Sequence, residues 1–411
     1  MKNKKIKMLV VPSDTTGVFK FREGDPHIYI QEHYGDEFDI DIIYMKDFPI
    51  DNLAEFFGQY DLIQFHKLLD KDCKVINLIK FLDIPVIMDI DDHFKVGPDH
   101  PMHITAQREG WAQQITNHIK LADHVTTTTP IFAEVIKKYN PNVTVLPNAI
   151  NPDEPQFSTV KNKSDKIRFG IICGSTHLKD IELIGALDTL PESVRNKMQI
   201  VLCGFDISGY TSIYNKETGQ VTRRAIFPSE SVWCRYEEFL TKNYKFVSPE
   251  HAHYLKRYIN QGVDPFQNEF YVRNWTKDIH HYAEHYRNVD VLLAPLKENE
   301  FNAVKSALKV TEAAFTNTAI IASNFGPYQL DTVPYLERGN VVNENGNCLL
   351  VDPAKNHKQW AKYIKYLVEH PEVIDKIKAN LRKDICEKYS LDNVCKQRVA
   401  LYKKIVEEHK S

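Results

Sequence analysis

The amino-acid sequence predicts an α/β protein built from two facing, Rossmann-like, doubly wound parallel sheets. Short apolar runs alternate with helix-like segments along the chain, which is the pattern of parallel sheets. The 411 residues are more than one ordinary core holds and suit two domains. A polar stretch with two prolines at residues 151–166 interrupts the alternation, which then starts again, so we expect a linker there.

The first half of the chain alternates strand-like and helix-like segments from its start. The strand-like runs are rich in β-branched residues and are bounded by polar or turn residues. Predicted strands lie at IKMLVV, DIDIIYM, DLIQF, PVIMDI, HVTTTT and VTVLPNAI. Predicted helices lie at DNLAEFFGQ, CKVINLIKFL, WAQQITNHIKLA and PIFAEVIKKY. The last of these begins at Pro130, which the first turn of a helix tolerates. We expect residues 1–160 to form an N-terminal domain.

The second half repeats the pattern with one interruption. Predicted strands lie at IRFGIICG, QIVLCGF, DVLLAPL, TAIIAS and NCLLVD, and a predicted helix lies at KDIELIGALDTL. An aromatic and charged stretch at about residues 206–269 predicts an insertion packed on this domain. The end of the chain has a helical pattern throughout. We expect residues 161–390 to form the C-terminal domain and residues 391–411 to form a terminal helix.

The composition excludes several classes of protein. The net charge of −3 predicts no surface for nucleic acid or for an anionic membrane. The seven cysteines are scattered without a CxxC pair, so we expect reduced thiols, a cytoplasmic location and no zinc site. The apolar run in MKNKKIKMLVVP is shorter than the roughly 7–15 residues of a signal peptide. No run approaches the roughly 20 residues of a membrane span.

Polar residues follow the predicted strands in both halves. Ligands of open parallel sheets bind beyond the carboxyl ends of the strands, so these residues predict a cleft between the domains. In the first half they are Gly17, Arg22, His66, Lys67, Asp89, Asp91 and Asp92. In the second half they are Gly174, His177, Lys179 and the lysines near residue 305. We expect the basic C-terminal side to bind a diphosphate, with Lys179 and Lys305 at helix N-termini neutralising its charge.

One predicted helix carries a charged stripe. In FNAVKSALKVTEAAFT, residues Lys305, Lys309 and Glu312 are four and three positions apart, a spacing that places them on one helix face. The lysines could instead pair with Glu300 or Glu312 on a solvated face. We favour a functional face, because the helix follows a predicted strand at the expected ligand edge.

The order of these motifs resembles that of the retaining glycosyltransferases with the GT-B fold, of the large glycosyltransferase family four. The run LADHVTTTTPIFAEVIKKYNPNVTVLPNAINPDEPQF is similar to the family's end of the N-terminal domain. KIRFGIICGSTHLKDIELI is similar to its phosphate-binding loop, and KVTEAAFTNTAIIASNFGP to its donor-sugar helix. NCLLVDPAKNHKQWAKYIKYLVEHPEV is similar to its closing segment. FNAVKSALKVTEA also resembles a bacterial surface-polysaccharide subgroup.

The resemblance implies a chemistry and a set of residues. A nucleoside-diphosphate sugar would donate its sugar, with retention, to a saccharide or lipid-linked acceptor. No metal or other cofactor would be needed, because fixed cations stabilise the leaving diphosphate. The residues implied in donor binding are Gly174, Ser175, His177, Lys179, Trp275, Asn302, Lys305, Ser306, Lys309 and Glu312. Those implied in catalysis are Asp91, Asp92, Lys305 and Glu312, and those implied in acceptor binding are Thr16, Gly17, Arg22 and His66. The terminal helix would cross back to the first domain.

The sequence departs from the family pattern at several positions. The family has two glutamates separated by seven residues, of which Glu312 matches the second, whereas Val304 occupies the first position. Asn302 or Glu300 could supply the missing sugar contact. The family often has an arginine where Ser175 stands, and a histidine in the region that here reads DIDDH. In that region the aspartates could also cap a turn or bind a metal. Each histidine, and Trp275, taken singly, is more typical of a core or surface position.

Two other functions fit the same fold. A nucleotide-sugar 2-epimerase would isomerise the donor without an acceptor, and an inactive homologue would bind a nucleotide sugar without turnover. KSALKVTEA resembles the transferases more than the epimerases. The absence of the family's first glutamate is compatible with an inactive homologue. We expect no nucleic-acid partner and at most peripheral association with a membrane.

Overall fold

The computed structural model describes residues 4–185, 187–214, 220–227, 230–241, 270–354 and 356–411. The strands of these residues form two six-stranded sheets and one two-stranded ribbon. All strand pairs within the two large sheets are parallel. The predicted fold class, two doubly wound parallel sheets, is confirmed.

The first sheet has the spatial order β2-β1-β3-β4-β5-β6. Its strands are β1 (Ile6–Val11), β2 (Phe38–Ile42), β3 (Leu62–His66), β4 (Val86–Ile90), β5 (His124–Thr127) and β6 (Val143–Val145). Helices cover both faces, so neighbouring side chains of β1 enter different cores. Leu9 packs in the cluster of Ile63 and Phe65, whereas Met8 packs in the cluster that contains the C-terminal helix. Burial on both faces explains why these strands read as continuous apolar runs.

Helices connect the strands of the first sheet. They are α1 (Asp25–His33), α2 (Leu53–Gly58), α3 (Lys74–Phe81), α4 (His103–Glu109), α5 (Trp111–Leu121) and α6 (Pro130–Ile136). The last helix begins at Pro130 as predicted, and Thr129 caps it, because its Oγ1 accepts the N–H of Phe132. A π-helix at Phe19–Gly24 precedes α1 and contains Arg22, which is completely buried.

The second sheet has the spatial order β11-β8-β7-β12-β13-β14. Its strands are β7 (Ile167–Ile172), β8 (Met198–Phe205), β11 (Tyr271–Trp275), β12 (Val291–Ala294), β13 (Ala319–Ser323) and β14 (Leu349–Val351). The chain moves outward from β7 to one side and later returns to β12 on the other side. This reversal leaves a crevice at the carboxyl ends of β7 and β12, where parallel sheets bind their ligands.

The helices of the second half are α7 (Leu178–Ile181), α8 (Glu192–Arg195), α9 (Val232–Thr241), α10 (Glu300–Ala303), α11 (Leu308–Phe315), α12 (Asn356–Glu369), α13 (Glu372–Ile385) and α14 (Leu391–Lys410). The helix predicted over KDIELIGALDTL is instead the four-residue α7 followed by 3-10 turns at Glu182–Ile184 and Leu187–Thr189. A helix this short contributes only a small dipole at its N-terminus.

The helix predicted to carry the charged stripe is broken in two. It ends at Ala303 and begins again at Leu308, and Lys305 lies in the gap. The prediction that Lys305 shares a helix face with Lys309 and Glu312 is therefore wrong, whereas Lys309 and Glu312 do lie three positions apart in one helix.

Tertiary packing explains the break. Val304 is 2% exposed and belongs to the hydrophobic cluster of the first half of the chain, with Ala303 packed beside it. Gly326 crosses so close that a Cβ on it would lie 3.2 Å from the Cα of Ala303. The backbone leaves the helix because burying Val304 against the first half is worth more than one further turn of helix.

The C-terminal helix α14 returns to the first half of the chain. Ile150 and the start of α14 are joined, because the N–H of Leu391 donates to the carbonyl of Ile150 at 2.9 Å. Further along α14, the Tyr402 hydroxyl donates to Oε1 of Gln64 in β3 at 2.8 Å. The apolar face of α14 is buried with residues of β1 and α1.

The predicted insertion at about residues 206–269 lies largely outside the described residues. Its described parts are a ribbon of β9 (Tyr210–Tyr214) and β10 (Val221–Ala225) and the helix α9. Trp233 and Tyr236 of α9 pack into the core of the second half. Within the described ranges, no helix has the length and apolar character needed to cross a membrane.

Candidate functional site

Two neighbouring cavities lie at the carboxyl ends of the strands. The interface cavity has a volume of about 300 Å³ and lies between the two halves, with residues 95–100 on one side and residues 299–302 on the other. The C-terminal cavity has a volume of about 640 Å³ and is lined mainly by the second half, with Gly17 reaching it from the first. Both volumes fall in the range of small-molecule sites.

A single segment after β7, called loop 174–179, contributes to both cavities and includes the first two residues of α7. Thr176 and Lys179 line the interface cavity, and Gly174, Ser175 and His177 line the C-terminal cavity. This loop is the segment that the sequence predicts to bind phosphate.

Tyr236 of α9 fixes the shape of the loop. Its hydroxyl accepts the N–H of His177 at 3.1 Å and donates to the carbonyl of Gly174 at 3.1 Å. Tyr236 was not predicted as a site residue, because the sequence gives no sign that the inserted helix returns to this loop.

Asp180 connects the loop to the segment after β12. Its Oδ2 lies 2.7 Å from Nδ1 of His177, and its Oδ1 accepts the N–H of Lys297 at 2.8 Å and Nδ2 of Asn302 at 3.0 Å. Asn302 also donates to the carbonyl of Lys297 at 2.9 Å and is 5% exposed. Asp180 was not predicted, although a carboxylate three positions after His177 was a visible signal.

The predicted lysines surround the loop. Lys305 lines the interface cavity and makes no ion pair with any residue in the described ranges. Lys179 lines the same cavity, where its Nζ lies 3.0 Å from Glu182. Lys309 lines the C-terminal cavity, and its Nζ donates to Glu312 at 2.8 Å. Lys179 and Lys305 thus converge on one cavity, and Lys309 lies in the next.

Glu312 lies beneath the C-terminal cavity and is 1% exposed. Tyr282 donates to its Oε1 at 2.6 Å, and Tyr286 and Lys309 donate to its Oε2 at 2.7 and 2.8 Å. Burial, and then the charge of Glu312, raise the pKa of both tyrosines well above the usual value. The carboxylate therefore holds Tyr282 and Lys309 in the wall of the cavity.

The remaining predicted donor residues have different surroundings. Ser306 is partly exposed in the gap between α10 and α11. Trp275 at the end of β11 packs edge-on against Phe205, with ring centroids 4.9 Å apart, and lines a separate cavity of about 410 Å³. Besides the imidazoles of His177 and His285, the aromatic rings of described residues that line the C-terminal cavity are those of Trp233 and Tyr282.

The predicted acceptor residues fall into two groups, of which the first, Thr16 and Gly17, is exposed or partly exposed. Thr16 is exposed, and its N–H donates to Oδ1 of Asp14 at 2.8 Å. Gly17 contacts the second half, since a Cβ on it would lie 3.7 Å from the side chain of Ile279.

The second group, Arg22 and His66, is buried. Nε and Nη2 of Arg22 donate to the two oxygens of Asp89 at 2.9 and 2.6 Å, which joins the π-helix to β4. Burial opposes the charge of Asp89, but Arg22 outweighs it and lowers the pKa of that carboxyl. The side chains of His66 and Asp89 are 1% and 0% exposed.

Asp91 and Asp92, predicted to be catalytic, lie in an ionic cluster beside His66. Asp91 contacts His66 Nε2 at 3.1 Å and Lys67 Nζ at 2.5 Å, and Asp92 lies 3.8 Å from Lys67. Burial opposes the charge of Asp91, but Lys67 and His66 outweigh it and lower its pKa well below the usual range. Neither aspartate lines the two cavities.

His100 belongs to the interface cavity and was missed by the sequence analysis. Its Nδ1 accepts the N–H of Met102 at 3.1 Å, so a neutral ring carries its hydrogen on Nε2. Its ring centroid is 5.1 Å from that of Phe301 in the other half. Burial lowers the pKa of His100, and Lys305 lowers it further. Nothing in the sequence VGPDHP distinguishes this histidine from sixteen others.

Among the described residues, Glu23, His66 and Asp89 are close enough together to be considered as metal ligands. Asp89 and His66 already have other partners: Asp89 accepts from Arg22 and Thr126, and Ser13 lies 2.7 Å from Nδ1 of His66. The two carboxylate oxygens of Glu23 have no hydrogen-bond partner among the described residues, and burial raises the pKa of that carboxyl well above its usual value. The adjacent guanidinium of Arg22 also opposes a cation there. This group fits an internal polar network better than a metal site.

No protein-family model and no curated protein sequence matches the chain. Among solved structures it is similar to Anabaena Alr3699/HepE in complex with UDP-glucose, with 13% identity, a TM-score of 0.57, and coverage of 97% of this chain and 100% of that one. It is also similar to sucrose-phosphate synthase from Thermosynechococcus elongatus, with 13% identity, a TM-score of 0.59, and coverage of 98% and 100%.

A third similar structure is a putative UDP-N-acetylglucosamine 2-epimerase from Listeria monocytogenes, with 11% identity, a TM-score of 0.53, and coverage of 98% of both chains. These neighbours have two facing Rossmann-like domains, and the chain accordingly has the GT-B fold.

Proposed function

We propose that the chain is a retaining glycosyltransferase of family four, which moves a sugar from a nucleoside-diphosphate sugar to a saccharide or lipid-linked acceptor of a bacterial surface polysaccharide. The donor binds mainly to the second half of the chain, and the acceptor approaches from the first. All seven cysteines are free thiols, which supports a cytoplasmic location.

One observation carries the proposal: loop 174–179 lies between two adjoining cavities, and cationic side chains approach it from both. Lys305 lies in the interface cavity without an acidic partner in the described residues, and Lys309 lies in the C-terminal cavity. Bringing cations together costs free energy, because like charges repel in a partly buried site. A bound diphosphate would repay this cost, and the same cations would stabilise the charge that develops as the glycosyl bond breaks.

The sizes of the cavities suggest how the donor divides between them. The C-terminal cavity, about 640 Å³, has room for a nucleoside beside Trp233 and Tyr282. The interface cavity, about 300 Å³, has room for the sugar, with the diphosphate at the loop between them. The transferred carbon would then lie between the halves, where closure around the substrates excludes water.

The function is tested with a panel of UDP-glucose, UDP-N-acetylglucosamine, ADP-glucose and GDP-mannose. We expect at least one of these donors to raise the melting temperature of the protein, because a ligand that binds only the folded state shifts the equilibrium towards that state. That donor is then incubated with the protein, with and without a library of saccharide and lipid-linked acceptors. Acceptor-dependent release of nucleoside diphosphate supports the proposal. Failure of every donor to bind contradicts it.

The second candidate function is a nucleotide-sugar 2-epimerase. The observation that favours it is the likeness to the putative epimerase from Listeria monocytogenes. An epimerase converts the donor without any acceptor, so a new sugar product from UDP-N-acetylglucosamine alone would favour it. Binding without turnover under either condition would favour the inactive homologue.

A further inference from the structure

His177 is held in a tautomer that can bind a phosphate only after taking up a proton. Its Nδ1 lies 2.7 Å from Oδ2 of Asp180, so Nδ1 carries the hydrogen that this carboxylate accepts. In the neutral ring, Nε2 therefore carries a lone pair. Phosphate oxygens are acceptors and repel a lone pair, so a diphosphate beside this ring favours a proton on Nε2.

We propose that His177 takes up a proton when the diphosphate of a nucleotide sugar binds at loop 174–179, and that Asp180 fixes the ring so that Nε2 serves that diphosphate. This inference rests on the proposed function, because it deepens the account of the same site. It assigns to His177 the cationic role for which the loop has no arginine, since Ser175 stands at that position.

The surrounding contacts fix the histidine in this orientation. Asp180 cannot turn away easily, because its other oxygen is held by the N–H of Lys297 and by Asn302. The backbone N–H of His177 is held by the hydroxyl of Tyr236. The His177 side chain is 26% exposed and lines the C-terminal cavity, so a ligand there can reach it.

The charged surroundings of His177 favour the neutral ring as long as no anion is bound. Burial lowers its pKa, Asp180 raises it, and Lys305 and Lys309 lower it further. A diphosphate at the loop reverses the balance, because its negative charge offsets the positive charge of the two lysines. The titratable groups that line the C-terminal cavity or contact the His177 segment are Cys173, Asp180, Cys203, Asp206, Glu230, Tyr236, Lys277, Tyr282, His285 and Lys309. Those that line the interface cavity on the other side of the loop also include Lys95, Asp99, His100, Lys179, Glu300 and Lys305.

Most of these neighbours keep one charge state near neutral pH. Burial raises the pKa of the Cys173 thiol to about 12, and that of the Tyr236 hydroxyl above the usual value. The other imidazoles that line the two cavities are those of His100 and His285. Burial lowers the pKa of His285 to about 4, so His100 is the main rival for the proton taken up. The donor itself does not gain or lose a proton in this pH range. Its diphosphate is esterified at both ends, unlike a terminal phosphate, which has a second pKa of about 6.

The expected effect is a donor affinity that rises as the pH falls. When the complex binds one more proton than the free protein, the dissociation constant falls by at most about tenfold per pH unit. We expect this dependence between about pH 8 and pH 6, where histidines titrate. Removing the imidazole should abolish the dependence, whereas a residue that only supports the fold would weaken binding equally at every pH.

Isothermal titration calorimetry tests this with UDP-glucose, UDP-N-acetylglucosamine, ADP-glucose and GDP-mannose. Titration in two buffers of different ionisation enthalpy gives the number of protons taken up. The variants are His177→Gln, His100→Gln and, as a matched control, His281→Gln. His281 also contacts an aspartate three positions away, with Nδ1 2.9 Å from Asp278, but it is exposed and lines neither cavity.

We expect the wild type and His281→Gln to take up a proton when the donor binds. We expect His177→Gln to lose both the proton uptake and the pH dependence of the donor affinity. The inference would be overturned if His177→Gln still took up a full proton, or if His100→Gln lost the proton uptake instead. Either result would leave the proposed function intact. Binding without proton uptake in the wild type would overturn the inference as well. If no donor in the panel binds, the proposed function fails and the inference fails with it.

Discussion

At the scale of single residues, the site depends on a few cations that the sequence already marked. Lys305 and Lys309 were singled out from their spacing, from the strand that precedes them and from the family resemblance, and the structure places each in a cavity beside loop 174–179. The residues that hold the loop, Tyr236 and Asp180, were not singled out. Hydrogen bonds between distant segments decide their roles, and a single sequence does not record such contacts.

Replacing Lys305 by alanine should weaken donor binding and leave the fold intact. Lys305 has no ion pair with a described residue, so its removal leaves no buried partner unsatisfied. We expect a loss of about tenfold in affinity, or about 1.4 kcal/mol, for the donor identified in the panel. Calorimetry measures the affinity and thermal unfolding checks the fold. Lys365→Ala is the control, because Lys365 pairs with Glu369 on the exposed face of α12. Equal affinity in wild type and Lys305→Ala would exclude this role.

Activity should persist after treatment with a strong chelator. Lys305, Lys309 and the proton on His177 are expected to carry the stabilising charge that a divalent metal carries in other transferases. The test compares acceptor-dependent release of nucleoside diphosphate before and after EDTA treatment and dialysis. Loss of activity that magnesium or manganese restores would contradict a metal-independent reaction.

The Asp91 carboxylate should make the stability of the protein depend on pH. Its folded pKa lies below the unfolded value because of Lys67 and His66, so its stabilisation is complete above about pH 5 and is lost as the pH falls below about 4. Asp91→Asn should lower the free energy of unfolding by about 3 kcal/mol at pH 7, and by much less in acid. Urea unfolding at several pH values measures the difference.

The control for this variant is Asp72→Asn. Asp72 pairs with Lys74, but both side chains are exposed, at 62% and 79%. Its replacement should change stability by less than about 0.5 kcal/mol at every pH. If Asp91→Asn lowers the free energy of unfolding equally at pH 7 and in acid, the charge of the Asp91 carboxylate is not the source of the stabilisation.

At the scale of secondary-structure elements, the sequence predicted the sheet strands well and the helices near the site poorly. Each predicted run of the two sheets contains a strand, because burial on both faces leaves a local apolar signature. The break at residues 304–307 has no local signature. It arises because Val304 belongs to a cluster contributed by a distant part of the chain.

Val304 occupies the position at which the resembled family has a glutamate, and its burial indicates that a carboxylate would not be tolerated there. Val304→Glu should destabilise the protein by about 3 kcal/mol or more, because it places a charge in an apolar cluster without a partner. Val304→Ala is the size control and should cost about 1–2 kcal/mol. Both are measured by urea unfolding. If Val304→Glu is as stable as wild type, residue 304 does not pack as described.

At the scale of the whole molecule, the C-terminal helix α14 braces the first sheet. The Tyr402 hydroxyl donates to Gln64 and lies 3.0 Å from Nε2 of His27, and Nη1 of Arg398 donates to it at 3.1 Å. All four side chains are buried. This network connects α14 to α1 and β3, next to the strands whose loops form the cleft.

Tyr402→Phe should destabilise the protein by about 1–3 kcal/mol, because it leaves buried polar groups without their partner. Lys404→Ala two residues further on is the control. Lys404 is exposed and lies 3.7 Å from Glu408, so its loss should change stability by less than about 0.5 kcal/mol. Urea unfolding distinguishes the two variants. Equal stability of Tyr402→Phe and wild type would mean that the hydroxyl contributes nothing to the brace.

The overall architecture followed from the sequence because the alternation of strands and helices and the polar linker are visible along the whole chain. The position of the cavities followed too, since it depends only on where the strands end. What did not follow is how the loops fill that crevice. The contacts of Asp180 with Lys297 and Asn302 and the approach of His100 join segments that meet only after folding.

The central claim is that loop 174–179 binds the diphosphate of a sugar donor between Lys305 and Lys309. A crystal structure of the protein with UDP-glucose, or with whichever donor in the panel binds, tests it most directly. We expect phosphate oxygens within about 3.2 Å of donors in this loop or of the two ammonium groups, with the nucleoside beside Trp233. A donor bound elsewhere, with its phosphates out of reach of the loop and both lysines, would contradict the claim.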